Sequence, residues 1–177
     1  MPATELDGNE VDVEYLLRIM LVGIGATLVS DFWGLLRQGL FGAPRPDYAM
    51  VGRWIGHFTR GRFRHDRIAA APAIRGERAI GWTAHYLIGI SFALLAAVIA
   101  GPGWLSEPTL PLALFVGIGT VLAPFLVLQP AMGAGFFASR APNPAIARLH
   151  SVLLHASFGF GLYGAALLVA HSPLFSH

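Results

Sequence analysis

The sequence has no cysteine, no lysine and few charged residues of any kind. The lack of cysteine excludes disulfides, thiolate metal sites and cysteine nucleophiles. Only 12% of the 177 residues are charged, whereas a soluble domain is normally about a quarter charged. Apolar residues make up 55% of the chain, and the mean hydropathy is +0.60. One soluble core could not absorb so much apolar surface, so the composition indicates a lipid bilayer as the solvent.

Four long apolar segments account for most of this excess. They cover residues 15–36, 81–100, 110–138 and 149–170. Each reaches the ~20 residues that a helix needs to cross a ~30 Å hydrocarbon core. The pattern predicts an all-α integral membrane four-helix bundle, with an acidic tail at residues 1–14 and a short tail at residues 171–177. Pro124 and Pro130 lie in the third segment, so we expect a kink there.

The arginines are distributed unevenly around these segments. Nine of the 12 lie within residues 37–80, which we name the arginine loop; two more, Arg140 and Arg148, separate the third and fourth segments. By the positive-inside rule both of these loops are cytoplasmic and both termini periplasmic. Exclusive use of arginine, with abundant alanine and glycine, is typical of a GC-rich bacterial genome, which indicates an inner membrane. Arginines between apolar segments indicate topology and contact with anionic lipids rather than with nucleic acid.

One part of the arginine loop has helical periodicity. Asp47 can cap a short amphipathic helix that places Arg53 on one face and apolar side chains on another. Those apolar residues are Val51, Trp54, Ile55 and Phe58. We expect this helix to lie in the cytoplasmic interface of the membrane. The predicted lipid-binding residues are Arg53, Trp54, Arg60, Arg62 and Arg64. The other interpretations of the loop are a solvated positive-inside loop and a specific phosphate or partner site. His57 and His65 are predicted to be surface residues.

The apolar segments carry small residues at four-residue steps, a spacing that lets helix backbones approach closely in lipid. The clearest rows are Gly89, Ala93, Ala97 and Gly101, and Ser157, Gly161 and Ala165. In addition, Val22–Gly25 repeats as Val116–Gly119, and His85–Gly89 aligns with His155–Gly159. These matches predict two duplicated helical hairpins in parallel orientation. Chance identity is the alternative, because membrane helices draw on few residue types.

Polar side chains inside apolar segments are costly and often functional. Five of them lie toward the predicted cytoplasmic side: Asp31, His85, Gln129, His150 and His155. All except His150, which is nearer the interface, fall within about 10 Å of each other in depth at about 1.5 Å per residue. All four segments therefore contribute to one polar layer, which is the predicted ligand-binding site.

Three interpretations of this layer stay open. In the first, its side chains bond across helices and hold the bundle together, with Asp31 paired to Arg37 or Arg78. In the second, the layer binds a small molecule or ion on a transport path, with Asp31 as the titrating group. In the third, His85 and His155 ligate haem or a metal. No nucleophile elbow surrounds any serine, so the sequence specifies no reaction.

Several strings of the sequence resemble a known family. They are Tyr48–His57, Arg60–Asp66, Arg75–Tyr86, Ala123–Gly135 and Ala147–His150. Together they resemble a family of small bacterial membrane proteins known only as a domain of unknown function, number twenty-nine thirty-eight. The resemblance covers nearly the whole chain after the acidic extension and implies a four-helix inner-membrane protein. It implies no activity, cofactor or catalytic residue.

The leading functional prediction is a non-enzymatic inner-membrane module with a polar site open to the cytoplasm. Such a module would act as a component of a small-solute carrier, or as an accessory subunit that associates with other membrane subunits or with itself. The alternative is a membrane redox protein that binds haem or a metal through His85 and His155.

Overall fold

A computed structural model of the chain describes residues 7–175, in which every regular element is helical. The α-helices are α1 (Asp7–Phe41), α2 (Tyr48–Gly56), α3 (Glu77–Ala100), α4 (Leu110–Gly119), α5 (Gln129–Met132) and α6 (Pro144–Ala170). Short 3₁₀ turns lie at His57–Arg60, Ile68–Ala70, Pro102–Leu105, Phe136–Ala138 and Pro173–Phe175, and Pro124–Leu128 is a π-helical turn.

Four stretches of helix are long and apolar enough to cross a membrane. They are Val13–Phe41, Glu77–Ala100, Leu110–Met132 and Pro144–Ala170. Large apolar side chains stay exposed along them, among them Phe115 at 69% and Val98 at 70%. A surface of this kind is stable against acyl chains and not against water. The predicted all-α four-helix membrane bundle is confirmed.

The first and last helices extend beyond the apolar segments. α1 begins at Asp7, so the predicted acidic tail is helical from Asp7 onward; residues 1–6 lie outside the described residues. α6 begins at Pro144 and not at 149, because the Asn143 side chain accepts a hydrogen bond from the Ile146 amide at 3.2 Å and caps the helix. Hydropathy locates only the apolar part of a helix, since the backbone hydrogen bonds continue into polar sequence.

The predicted C-terminal tail packs on α1 as far as Phe175. The Arg18 guanidinium donates to the Phe175 carbonyl oxygen at 2.8 Å and lies 4.8 Å from the centre of the Phe175 ring. Arg18 also pairs with Glu14, one turn earlier in α1. Residues 176–177 lie outside the described residues.

The third span is interrupted where Pro124 predicts a kink. α4 ends at Gly119, and the chain resumes as the π-helical turn because Pro124 has no N–H for the carbonyl one turn earlier. The span ends at Met132, and its predicted end at 138 is wrong. Gly133 and Gly135 take positive φ angles of +97° and +73°, which stop the helix there.

Glycines set the spacing between helices, as their four-residue steps predict. α1 packs on both α3 and α6, and α6 packs on α4. A Cβ atom added at Gly23 would lie 2.5 Å from the Ile90 Cα, and one added at Gly161 would lie 2.8 Å from the Ala26 Cα. Both distances are well inside the ~3.5–4.0 Å of ordinary carbon contacts. The backbones therefore touch directly, and few residues other than glycine fit.

The same close approach occurs in both predicted hairpins. Gly23 of α1 faces the Gly89–Ile90 backbone of α3, and Gly117 of α4 faces the Gly159 backbone of α6. In the sequence alignment Gly23 corresponds to Gly117, and Gly89 to Gly159. Equivalent residues thus meet at equivalent places, an observation that supports the predicted duplication.

The predicted short helix of the arginine loop forms as α2. Asp47 caps it by accepting a hydrogen bond from the Ala49 amide at 3.0 Å. α2 lies directly against the first turns of α3, since a Cβ added at Gly52 would lie 2.6 Å from the Gly81 amide nitrogen. The arginine loop is thereby fixed to one end of the bundle, which we name the loop side.

Candidate functional site

A carboxylate and an imidazole meet between α1 and α3. The Nε2–H of His85 donates a hydrogen bond to Asp31 Oδ1 at 3.0 Å. The Tyr86 hydroxyl donates to Asp31 Oδ2 at 3.1 Å, and the Tyr48 hydroxyl donates to Oδ1 at 3.4 Å. The side chains of Asp31 and His85 are 13% and 18% exposed. Three donors from two helices therefore converge on one largely buried carboxylate.

Aromatic rings enclose the imidazole of this pair. The Tyr48 ring stacks on His85, with centroids 3.9 Å apart and planes 21° apart. Trp82 meets the Tyr48 ring edge-on at 4.8 Å and the His85 ring at 5.8 Å. Tyr86 completes the group at 5.5 Å from His85. We name Asp31, Tyr48, Trp82, His85 and Tyr86 the Asp–His site.

Tyr48 connects this site to the arginine loop, because it is the first residue of α2. The contact between Gly52 and Gly81 holds α2 against α3, and so it holds the Tyr48 ring over His85. Burial raises the pKa of the Tyr48 hydroxyl above its usual range, and the adjacent Asp31 carboxylate raises it further. Tyr48 therefore stays protonated and donates to Asp31.

The predicted polar layer divides into separate groups. His155 lies between α4 and α6, where its Nδ1 is 3.0 Å from Thr120 Oγ1. Because the Thr120 hydroxyl donates to the Gly117 carbonyl at 2.6 Å, it accepts from His155, whose Nδ1 is the protonated nitrogen. Asp31 and His85 are brought together, whereas His155 belongs to a second pair. Depth alone predicted one layer, but helical rotation points Asp31 toward α3.

Gln129 and His150 contribute to neither pair. Gln129 starts α5, and its Oε1 atom is buried without a hydrogen-bond partner among the described residues. His150 is half-buried two turns into α6. The hydrogen bonds to Asp31 within residues 7–175 come from His85, Tyr86 and Tyr48, so Arg37 and Arg78 are not its partners.

The two histidines proposed as haem or metal ligands lie in different helix pairs. One nitrogen of each is engaged, Nε2 of His85 with Asp31 and Nδ1 of His155 with Thr120. In the part of the chain that the structure describes, no group of three histidine or acidic side chains is arranged to hold a metal ion. The geometry therefore adds no support to the haem or metal alternative.

The predicted lipid-binding residues differ in their surroundings. The Arg53 guanidinium donates to both carboxylate oxygens of Glu77, at 2.8 and 2.7 Å, and to the carbonyl oxygens of Ala69 and Ala71. Trp54 donates from its indole to the Phe63 carbonyl at 2.8 Å. Both residues thus stabilise the loop itself. The remaining predicted lipid-binding residues, Arg60, Arg62 and Arg64, are exposed.

A family model described as "protein of unknown function (DUF2938)" matches residues 20–169 of the chain. The chain belongs to this family. No curated protein and no solved structure matches it. The description of the DUF2938 family assigns no activity, so a function has to be argued from the sites.

This DUF2938 member also contains a buried histidine pair that the sequence did not predict. His57 and His65 are 1% and 4% exposed. The prediction that they are surface residues is therefore wrong. His57 Nε2 donates to the Pro72 carbonyl at 2.9 Å, so its Nδ1 accepts from His65 Nε2 at 3.1 Å. The His65 amide donates to the Ala131 carbonyl at 2.8 Å, which ties the arginine loop to α5. The burial of these two histidines could not be predicted from their sequence neighbours, because the surrounding residues are polar and rich in arginine.

A depression in the described part of this DUF2938 chain lies at the opposite end of α3. It has a volume of about 530 Å³ and is broadly open. Its lining residues are Ala100, Gly103, Trp104, Ser106, Glu107, Thr109 and Leu112. His85 and Ala100 are separated by about 22 Å along the helix axis at 1.5 Å per residue. Its single ionisable residue is Glu107, so we place the candidate chemistry at the Asp–His site and not here.

Proposed function

We propose that the chain is a non-enzymatic component of a small-solute carrier in a bacterial inner membrane. In this proposal the Asp–His site takes up and releases the proton that drives or gates solute movement. The observation that carries the proposal is the 3.0 Å hydrogen bond between Asp31 and His85 inside two membrane-spanning helices. Chains of aspartate and histidine at such depth are typical of proton relays in transporters.

The depth of the pair supports a role beyond holding helices together. Asp31 lies about 15 Å from the end of α1 at Phe41, and His85 lies about 12 Å from the start of α3, at 1.5 Å per residue. An ionisable group at this depth costs several kcal/mol unless it is paired. Close packing of these helices already comes from Gly23 and Gly89, so helix association alone does not require the pair.

The orientation in this proposal follows from the arginines. The loop side carries the arginine loop and is proposed to be cytoplasmic, with both termini periplasmic. Because the chain has no cysteine, single cysteines give unique labels for a test. Ala73→Cys, in the exposed part of the arginine loop, should react with an impermeant thiol reagent in inverted vesicles and not in intact cells. Leu174→Cys, near the other end, should show the reverse; the same pattern for both would contradict the proposed topology.

Proton uptake tests the function directly. The full chain is reconstituted into vesicles that contain a pH-sensitive dye, and an inside-negative potassium diffusion potential is imposed. We expect faster internal acidification than in protein-free vesicles, and we expect Asp31→Asn or His85→Gln to remove the difference. His155→Gln is the matched control, because this residue holds the equivalent place in the second hairpin and pairs with Thr120.

Infrared spectroscopy gives a second measurement that does not depend on transport. A carboxyl band that appears on acidification between about pH 9 and about pH 4 and is missing in Asp31→Asn shows that Asp31 titrates. If wild-type vesicles move no protons and no such band exists, the carrier proposal fails. A stoichiometric membrane partner in gentle detergent would then favour the accessory-subunit interpretation.

A further inference from the structure

Arg37 is a cation buried at the loop side of the bundle. It lies near the end of α1 and is 4% exposed. Its Nε and Nη1 atoms are buried without a hydrogen-bond partner among the described residues. Nη2 donates to the Pro44 carbonyl oxygen at a long 3.4 Å. Within residues 7–175 the ion pairs involve other side chains, so no protein carboxylate neutralises this guanidinium.

Trp33 presents a second unused donor on the same face of α1. Its indole Nε1 is buried and, in the part of the chain described, has no acceptor. Positions i and i+4 of a helix are neighbours, about 5–6 Å apart at Cβ, so Trp33 and Arg37 adjoin. Asp31 lies about 120° from Arg37 around the helix axis. Its carboxylate oxygens accept hydrogen bonds from His85, Tyr86 and Tyr48. This face therefore offers N–H donors and a positive charge but no anion.

The position of Arg37 along α1 indicates what the anion is. The span Val13–Phe41 continues for about 6 Å beyond Arg37 at 1.5 Å per residue. Apolar side chains around it face outward, among them Leu36 at 38% and Leu40 at 66% exposure. The outer surface of α1 thus contacts lipid to its end, which brings Arg37 close to the level of the headgroup phosphates.

We infer that Arg37 and Trp33 form a binding site for a phosphate group, supplied by an anionic phospholipid or by a small soluble phosphate. A buried unpaired guanidinium is costly, and phosphate oxygens are acceptors that arginine binds strongly. The indole N–H supplies one more donor. Gly42, with φ +63°, turns the chain back so that Pro44 covers the guanidinium. The long hydrogen bond to Pro44 is the contact that phosphate replaces. This site does not depend on the Asp–His proposal.

The test uses the full chain, purified and delipidated in a neutral detergent. Thermal unfolding is followed by tryptophan fluorescence while short-chain phosphatidylglycerol, inorganic phosphate or sodium chloride is added. We expect phosphatidylglycerol or inorganic phosphate, but not chloride, to raise the unfolding temperature. Arg37→Gln should weaken the apparent affinity at least about tenfold, and Trp33→Phe by a smaller factor. The exposed Arg75→Gln is the control and should bind as the wild type does.

The outcomes separate the sources and can overturn the inference. Stabilisation by phosphatidylglycerol alone assigns a lipid headgroup, and stabilisation by inorganic phosphate assigns a soluble ligand. If Arg37→Gln does not fold, Arg37→Lys and Trp33→Phe decide the question. Arg37→Lys keeps the positive charge but loses the guanidinium fork, and Trp33→Phe keeps an aromatic ring but loses the indole N–H. If neither ligand stabilises the wild type, or if these variants respond as it does, Arg37 is a structural cation solvated by buried water and the inference is wrong.

Discussion

Substitution by alanine should affect stability differently at two glycines of α4 that lie two residues apart. A Cβ added at Gly117 would lie 2.6 Å from the Gly159 backbone nitrogen and 3.0 Å from the His155 carbonyl oxygen. A Cβ added at Gly119 would meet nothing within 4 Å. We therefore expect Gly117→Ala to destabilise the bundle, and we expect Gly119→Ala to leave it unchanged or slightly more stable.

The magnitude follows from the geometry. The atoms that a Gly117 methyl group meets are backbone, so α4 and α6 must separate by about 1 Å to restore ordinary contact distances. Overpacking of this kind costs about 1–3 kcal/mol. The greater helix propensity of alanine offsets about 0.5–1 kcal/mol of this at either position. The two variants should therefore differ by about 1–3 kcal/mol in their free energy of unfolding.

Reversible unfolding in mixed micelles of a mild detergent and sodium dodecyl sulfate measures this difference through tryptophan fluorescence. Separation of α4 from α6 should also lengthen the 3.0 Å contact between Thr120 and His155, which the nitrogen resonance of the His155 ring would report. If Gly117→Ala and Gly119→Ala shift the unfolding midpoint equally, backbone contact does not set the spacing of these helices. The packing account of both hairpins would then be refuted.

Three further predictions concern the arginine loop and a helix cap. Arg53→Gln should release the loop, because it breaks two charge-assisted hydrogen bonds to Glu77; faster proteolysis of residues 57–76 would show it. Burial, followed by the charges of His57 and Arg62, lowers the pKa of His65 below its unfolded value. The neutral ring is therefore favoured in the folded loop, so docking of the arginine loop on α5 is complete above about pH 6.5 and weakens as pH falls below it. Hydrogen exchange of the loop amides measured against pH tests this, and His65→Gln should reduce the pH dependence. Asn143→Ala should remove about 1 kcal/mol of stability by uncapping α6, and Asn143→Asp should restore it in the same unfolding assay.

Much of the fold could be predicted because the bilayer imposes strong constraints on sequence. Each span needs about 20 apolar residues with all backbone groups bonded internally, so the four spans stand out. The ends of the helices were less predictable, since α6 starts at a cap and not where hydropathy rises. The third span ends at the positive φ of Gly133. This end could not be predicted, because the segment contains several glycines and the sequence does not indicate which of them takes a positive φ.

The candidate site was predicted only in part. Hydropathy gave the depths of Asp31 and His85 and placed both in one polar layer, but it gave neither their direct contact nor the rotation that separates them from His155. Tyr48 was not predicted as a site residue, because its role depends on how α2 docks against α3. That docking follows from the contact between Gly52 and Gly81, which lie in different segments of the sequence.

The two predicted hairpins differ in the polar side chains that lie between their helices. In the register that aligns Gly23 with Gly117, the counterpart of Asp31 is Phe125, which is 5% exposed. His155 keeps the place of His85 but contacts the Thr120 hydroxyl, and the counterpart of Thr120 in the first hairpin is Ala26. Helix contact through glycine is common to both halves, so packing alone does not account for the carboxylate. α2, which supplies Tyr48, packs against α3 of the first hairpin. Under the predicted duplication, the first hairpin alone would combine the glycine contact with a carboxylate and an aromatic cover, whereas the second would keep the glycine contact.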